Sequence, residues 1–105
     1  MRKTIAAAIA TLALAGVGAD VALADTPGCV TRKEFRRVEK GMRMSRVHAI
    51  FDTAGKQAWY MSGSYGYPAE QGREYKPCPA YSHVEVDYKR KSGVWRVTGK
   101  LAYWG

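Results

Sequence analysis

The spacing of the apolar residues changes once along this chain, and that change limits the fold more than any other feature. Between positions 31 and 54 they recur three and four apart: Phe35, Val38 and Met42, then Val47, Ile50, Phe51 and Ala54. Such spacing lines one face of an α-helix. From position 81 the pattern alternates, with Ser82, Val84, Val86 and Tyr88 set against Tyr81, His83, Glu85, Asp87 and Lys89. Alternation by two marks a strand with one buried face. A chain that runs helix, helix, then paired strands belongs to the α+β class, here a two-helix hairpin packed on one face of a three- to four-stranded antiparallel sheet.

Local signals place the elements. Thr31-Arg32-Lys33-Glu34 has the form of a capping box, in which the Thr31 hydroxyl and the Glu34 carboxylate each accept from the other residue's amide. The first helix is predicted over 31–40 and stopped by Gly41, which lacks the Cβ that penalises a left-handed terminus. Ser45 or Arg43 sits near the N-cap of a second helix, Ser45 with the better chemistry but leaving only about ten residues, and Gly55 closes it. Strands are predicted over 57–61, 74–78, 82–89 and 95–103, the last two joined by Lys91-Ser92-Gly93. Simple alternation puts Trp95, Val97, Gly99, Leu101 and Tyr103 on one face of the last strand and Arg96, Thr98, Lys100 and Trp104 on the other. Residues 62–72, rich in Gly, Ser and Tyr, read as a loop.

The first 24 residues differ in kind. Arg2 and Lys3 precede a charge-free apolar run over 5–19, and Ala22-Leu23-Ala24 offers small residues to a signal peptidase. The sequence therefore predicts a cleaved export signal over 1–24 and one α+β domain over 25–105. Asp20 interrupts the run before it reaches the roughly 20 apolar residues of a membrane span. Thr26-Pro27-Gly28 lacks the pattern of a lipid-attachment site at Cys29.

Length and charge exclude a multidomain enzyme and an acidic solvating tail, since the chain has 105 residues and a net charge of +8. Without Arg2, Lys3 and Asp20, 15 basic and 8 acidic side chains remain, so the domain itself carries about +7. Cys29 and Cys78 are the only cysteines, and export predicts that they pair as a disulfide. Neither they nor His48 and His83 have zinc-ligand spacing, so no metal and no cofactor are expected. His48, beside the apolar stripe of the second helix, is read as a boundary residue without a role.

Two surfaces are candidates for binding. The helical hairpin collects Arg32, Lys33, Arg36, Arg37, Lys40, Arg43 and Arg46, which suits weak attraction to an anionic envelope surface. The open sheet face is expected to carry Tyr81, His83, Lys89, Arg96, Lys100 and Trp104, with Tyr65 and Tyr67 in the loop beside it. Aromatic and Arg side chains among mixed charges are the composition of protein interfaces. His83 and Glu85 also supply the acid and base of a small basic hydrolase, most concretely a ribonuclease, with Arg96 or Lys100 to hold the phosphate. A His-x-Glu pair on an open sheet is an ordinary solvated cluster as well, and no nucleophile elbow or phosphate loop accompanies it. The sequence thus favours a secreted, non-catalytic protein-binding module over the hydrolase.

The segment Phe35-x-x-Val38-x-x-Gly41-Met42-x-x-x-x-Val47 resembles the helical hairpin of single repeats from the secreted β-lactamase inhibitory proteins. More distantly it is similar to the outer-membrane assembly lipoproteins of the BamE (SmpA/OmlA) type. The resemblance implies two short helices joined at a Gly-Met turn and packed on an antiparallel sheet, and for function it implies binding to an extracellular or envelope protein. The inhibitors carry two tandem repeats and this chain has one. Arg43 stands where a Thr commonly caps the second helix, and the first Cys precedes the first helix. Structural roles alone are therefore carried over, to Phe35, Val38, Gly41, Met42 and Val47.

Overall fold

The capping box and the two spacings all form in the computed structural model, which describes residues 28–105. The predicted export signal lies outside the described residues. In chain order the elements are α1 (Arg32–Arg36), α2 (Met44–Phe51), β1 (Lys56–Met61), β2 (Glu70–Tyr75), β3 (His83–Lys91) and β4 (Val94–Tyr103). The strands form one antiparallel sheet in the order β1-β2-β3-β4, and the helices lie against one of its faces. Val38 and, from α2, Val47, Ile50 and Phe51 meet Tyr75, Val84, Val86, Tyr88 and Val97 from the sheet. Among the described residues no helix is long and apolar enough to cross a membrane.

The helices are shorter than their sequence patterns. The Thr31 hydroxyl accepts from the Glu34 amide and the Glu34 carboxylate accepts from the Thr31 amide, both at 3.1 Å. The helix then ends at Arg36 rather than at 40, because the backbone beyond it finds another partner. Gly41 donates to the Val97 carbonyl at 2.8 Å, and the Val97 amide donates to the Met42 carbonyl at 2.9 Å. The α1–α2 connection thus pairs with the edge of β4, and its amide groups are satisfied there instead of within a helix. Gly41 does adopt a left-handed conformation, with φ at 85°, but in this connection. Helix α2 is N-capped by Arg43 without a side-chain bond, and Ser45 falls inside it. It closes at Asp52 in a left-handed conformation, which leaves Ala54 exposed.

Strand β2 also departs from expectation. It begins at Glu70, inside the predicted loop, and ends at Tyr75. Lying between two neighbours, it draws Gln71 and Tyr75 to the helix side opposite Tyr88 and Val84. Residues 76–78, predicted as strand, instead hold the segment before α1: Val30 donates to Lys76 O, and Cys78 donates to Val30 O, each at 2.8 Å. Cys29 and Cys78 form the expected disulfide across this short parallel contact. Such a bond belongs to oxidising compartments.

The largest departure is in β4. Asp87 pairs with Gly99 but the next residue, Tyr88, pairs with Val97, so Thr98 is the extra residue of a β-bulge. One inserted residue reverses the inward and outward faces beyond it. Trp95 and Val97 face the helices as alternation requires, and after Thr98 the helix side passes to Lys100, Ala102 and Trp104. Leu101 and Tyr103, expected to be buried, are 51% and 66% exposed on the open face. A second bulge in β1, at Ala58, sends Lys56 and Trp59 to the same open face.

Candidate interaction face

The open side of the sheet is built in rows across the four strands. One row runs Lys56, Glu74, Glu85 and Leu101; the next runs Trp59, Gly72, Asp87 and Gly99; a third runs Met61, Glu70, Lys89 and Arg96. His83 and Tyr103 begin a further row at the end beside Glu85. Four carboxylates therefore occupy the middle of the sheet in a strongly basic chain, with Trp59, Met61, Leu101 and Tyr103 around them.

The middle row is shaped by its glycines. Trp59 lies over Gly72, where a Cβ would stand 2.1 Å from its indole nitrogen. That nitrogen donates to Glu85 Oε2 at 3.3 Å. Trp59 is half-buried, and its indole nitrogen and Asp87 Oδ1 both close on the space over Gly72. Asp87 Oδ1 is buried without a hydrogen-bond partner, while the carboxyl shares a hydrogen bond with Glu85. Burial first, then the Glu85 hydrogen bond and charge and the Glu70 charge, push Asp87 up to about 6.

A raised carboxyl pKa costs stability once the folded group must ionise. The cost is absent below the unfolded value near 3.8 and complete above about 6, so stability falls as pH rises through that window. Asp87→Asn is expected to remove this dependence. Above pH 6.5 the variant should be more stable than wild type by about 1 to 2 kcal/mol, allowing for screening of a partly exposed group. Urea denaturation at pH 4.0 and 7.5 measures it; an equal difference at both pH values would contradict the assignment.

The sequence-predicted residues divide by location. His83 and Lys89 are on the open face as expected, and His83 Nε2 stands 3.8 Å from Glu85 Oε1. Arg96 shares that face beside Lys89, but its guanidinium is held by a donation to Gly41 O at 2.9 Å. Lys100 and Trp104 are not there. Lys100 Nζ donates to Phe35 O at 2.8 Å and sits 4.5 Å from the Phe35 ring centroid, so it caps the last turn of α1. Trp104 packs edge-on against Phe35, with Arg32 over its ring. The bulge at Thr98 is the reason for both corrections.

The three named tyrosines do not form one patch. Ser64 and Tyr67 exchange backbone bonds of 3.1 and 2.8 Å, closing a two-residue turn over Tyr65 and Gly66, both at positive φ. Residues 62–67 are thus a tight hairpin tip that presents Tyr65 and Tyr67 to solvent at the Met61 end of the sheet. Tyr81 stands before β3, at the His83 end, in a turn rather than in the strand. Tyr65 and Tyr81 keep φ near 50° and 57° while almost fully exposed. That conformation is costly for an aromatic residue.

Sequence reasoning missed Trp59, Met61, Leu101 and Tyr103 on this face. For Leu101 and Tyr103 the available signal was Gly99, since a glycine inside a strand pattern marks a bulge. Glu74, His83 and Glu85 also bring one ligating atom each within 4.8 Å. Glu85 already takes the Trp59 N–H and faces the His83 ring. On the covered side, His48 bonds the Tyr75 hydroxyl at 3.0 Å and Tyr75 bonds Tyr88 at 2.6 Å, which satisfies two buried hydroxyls. Burial, then the Arg73 charge, lowers the His48 pKa, and burial pushes Tyr75 up to about 12.

Comparison of the chain with protein-family models, curated proteins and solved structures finds no match.

Proposed function

We propose that this chain is a secreted, non-catalytic protein-binding module, similar to one repeat of the β-lactamase inhibitory proteins, and that it docks through the open face of its sheet. The observation that carries this reading is the placement of Trp59, Met61, Leu101 and Tyr103 on a face that no other described element covers, around Glu70, Glu74, Glu85 and Asp87. Aromatic anchors beside fixed charges are the residues that dominate binding energy at protein interfaces. The charge selects the partner's chemistry: an extracellular or envelope protein presenting Lys or Arg within an apolar surround. The disulfide and the predicted export signal support secretion. The basic residues of the helical layer suit weak association with an anionic envelope surface.

The hydrolase reading has less support from the same geometry. Lys100, which would hold a phosphate beside His83, lies on the helix side and donates to Phe35 O, and Arg96 stands opposite Lys89 at the far end of the strand pair from His83. Glu74 and Asp87 flank Glu85 and would repel an anionic substrate.

The test begins with capture from the host's extracellular and envelope fractions at high salt, followed by direct titration of the captured protein. The variant Trp59→Ala with Leu101→Ser and Tyr103→Ser is expected to bind at least about 100-fold more weakly than wild type, given hot-spot losses of roughly 2 kcal/mol or more each. Thermal melting of the variant controls for folding. Unchanged affinity would move the interface elsewhere, and RNA cleavage abolished by His83→Ala would replace the reading with the hydrolase.

A further inference from the structure

A second feature lies where the α1–α2 connection crosses the edge of β4. An open cleft of about 430 Å³ is walled there by Lys40, Lys89, Lys91 and Arg96, over a floor of Gly41 and Val97. The four cations come from three parts of the chain, and no carboxylate lines the cleft. Glu39, next to Lys40 in sequence, acts on Lys100, and Glu70, across the strand from Lys89, lies outside the cleft. Among the described residues none of the four cations forms an ion pair.

The cleft is also rigid at its base. Gly41 and Met42 are bonded to both backbone groups of Val97, and Arg96 is anchored by one guanidinium nitrogen to Gly41 O. A guanidinium has five N–H donors, so most of those of Arg96 stay available. Apart from Lys40 and Met42, its neighbours in the chain, no residue comes within 4 Å of where a Gly41 Cβ would stand, so the space above the floor is open.

We propose that this cleft binds a multiply phosphorylated polyol, as a free phosphate ester or as a lipid headgroup. Four unpaired positive charges facing one volume repel one another, and a polyanion offsets that repulsion where a single monovalent anion would not. Arg96 supplies planar, forked donors suited to phosphate oxygens, and the lysines supply mobile point charges. No aromatic side chain lines the cleft, so a nucleobase would find no stacking platform. The volume exceeds that of one tetrahedral oxyanion and admits the polyol that carries the phosphates. The inference does not depend on the sheet-face reading, which concerns a different ligand on different residues apart from the shared edge at Lys89 and Arg96.

The test uses the full chain at 0.15 M salt and inositol hexakisphosphate as the soluble probe, titrated by calorimetry. Vesicles of phosphatidylcholine with and without phosphatidylinositol bisphosphate form the second arm. Two variants lose the same charge: Lys40→Ser with Lys89→Ser and Lys91→Ser in the cleft, and Lys33→Ser with Arg36→Ser and Arg46→Ser on the helical layer. All six residues lie outside the core, and melting curves confirm folding. Wild type is expected to bind one inositol hexakisphosphate; the cleft variant should lose at least about tenfold and the helical variant no more than about twofold, since contact charges outweigh screened distant ones. Binding only to the phosphorylated vesicles, with the same split between variants, assigns the ligand to a headgroup. Equal losses in both variants would reduce the effect to net charge and overturn the site, as would no binding to either probe.

Discussion

Insertion of one alanine between Gly99 and Lys100 is expected to lower the unfolding free energy by at least about 3 kcal/mol and to dismantle the open face at the same time. Thr98 is the residue by which β4 exceeds β3, and its hydroxyl donates to Asp87 O at 3.3 Å. Deleting Thr98 would leave Gly99 opposite Asp87 and Lys100 opposite Val86 with every face kept, whereas a further residue after Gly99 reverses the parity of β4 beyond it. Lys100, Ala102 and Trp104 turn toward solvent, and Leu101 and Tyr103 turn toward the helices. The chain then loses the Trp104–Phe35 packing and the Lys100 bond that caps α1. Removing a large packed aromatic side chain alone costs about 3 to 5 kcal/mol. Thr98→Ala keeps the extra residue and removes one hydrogen bond, so it should cost only about 1 kcal/mol. Urea denaturation followed by tryptophan fluorescence compares the two, and an insertion variant with the wild-type midpoint would show that the register of β4 does not set the face.

Replacing Cys29 and Cys78 together by Ser is expected to lower stability by roughly 3 to 4 kcal/mol in the chain-entropy treatment of loop closure. The pair spans a sequence separation of 49 residues, so the unfolded chain gains substantial freedom without it. Native hydrogen bonds from Val30 to Lys76 and from Cys78 to Val30 remain in the variant, but they then close a short, exposed parallel contact unaided. Hydrogen exchange at Val30 and Cys78 should accelerate by more than exchange at Val84 and Val86 in the centre of the sheet. Denaturation of the double variant measures the global loss. Free-thiol labelling of wild type is expected to find none, and two reactive thiols would contradict the pairing.

Much of the architecture is legible in local pattern. The Thr31–Glu34 capping box, the i, i+3, i+4 stripe of α2 and the alternation of β3 each depend on residues within one or two turns or strand steps. Their side-chain periods follow from backbone geometry alone. The ends of the elements are less legible. Helix α1 stops at Arg36 because the edge of β4 accepts and donates the bonds of Gly41 and Met42, and no local signal encodes that competition. Residues 70–72 read as loop because Glu, Gln and Gly have weak strand preference, yet a position between β1 and β3 satisfies their backbone on both sides.

The candidate site was the least legible part. His83 and Lys89 follow β3, which is regular, and their face is read correctly from alternation. Lys100 and Trp104 follow a bulge, and the same rule places them on the wrong side. The electrostatic character of the face changes with them: removing Lys100 and adding the cross-strand neighbours of β2 turns an expected mixed surface into a carboxylate-centred one. Cross-strand register brings Glu74 opposite Glu85 and Gly72 beside Asp87. Residues 11 and 15 positions apart become neighbours through pairing that sequence spacing does not contain.

The sequence by itself determined the class of fold, the order of its helices and strands, the identity of most core residues and the pairing of its two cysteines. These rest on short-range periodicity and on composition, both of which are properties of the chain before it folds. Only the tertiary structure decided where the helices stop, which residues of β4 face solvent, and how the charges of separate strands gather into a carboxylate row and a cationic cleft. A single extra residue in β4 reverses a face because the side-chain period of a strand is two, and that residue is extra only in relation to the strand paired beside it.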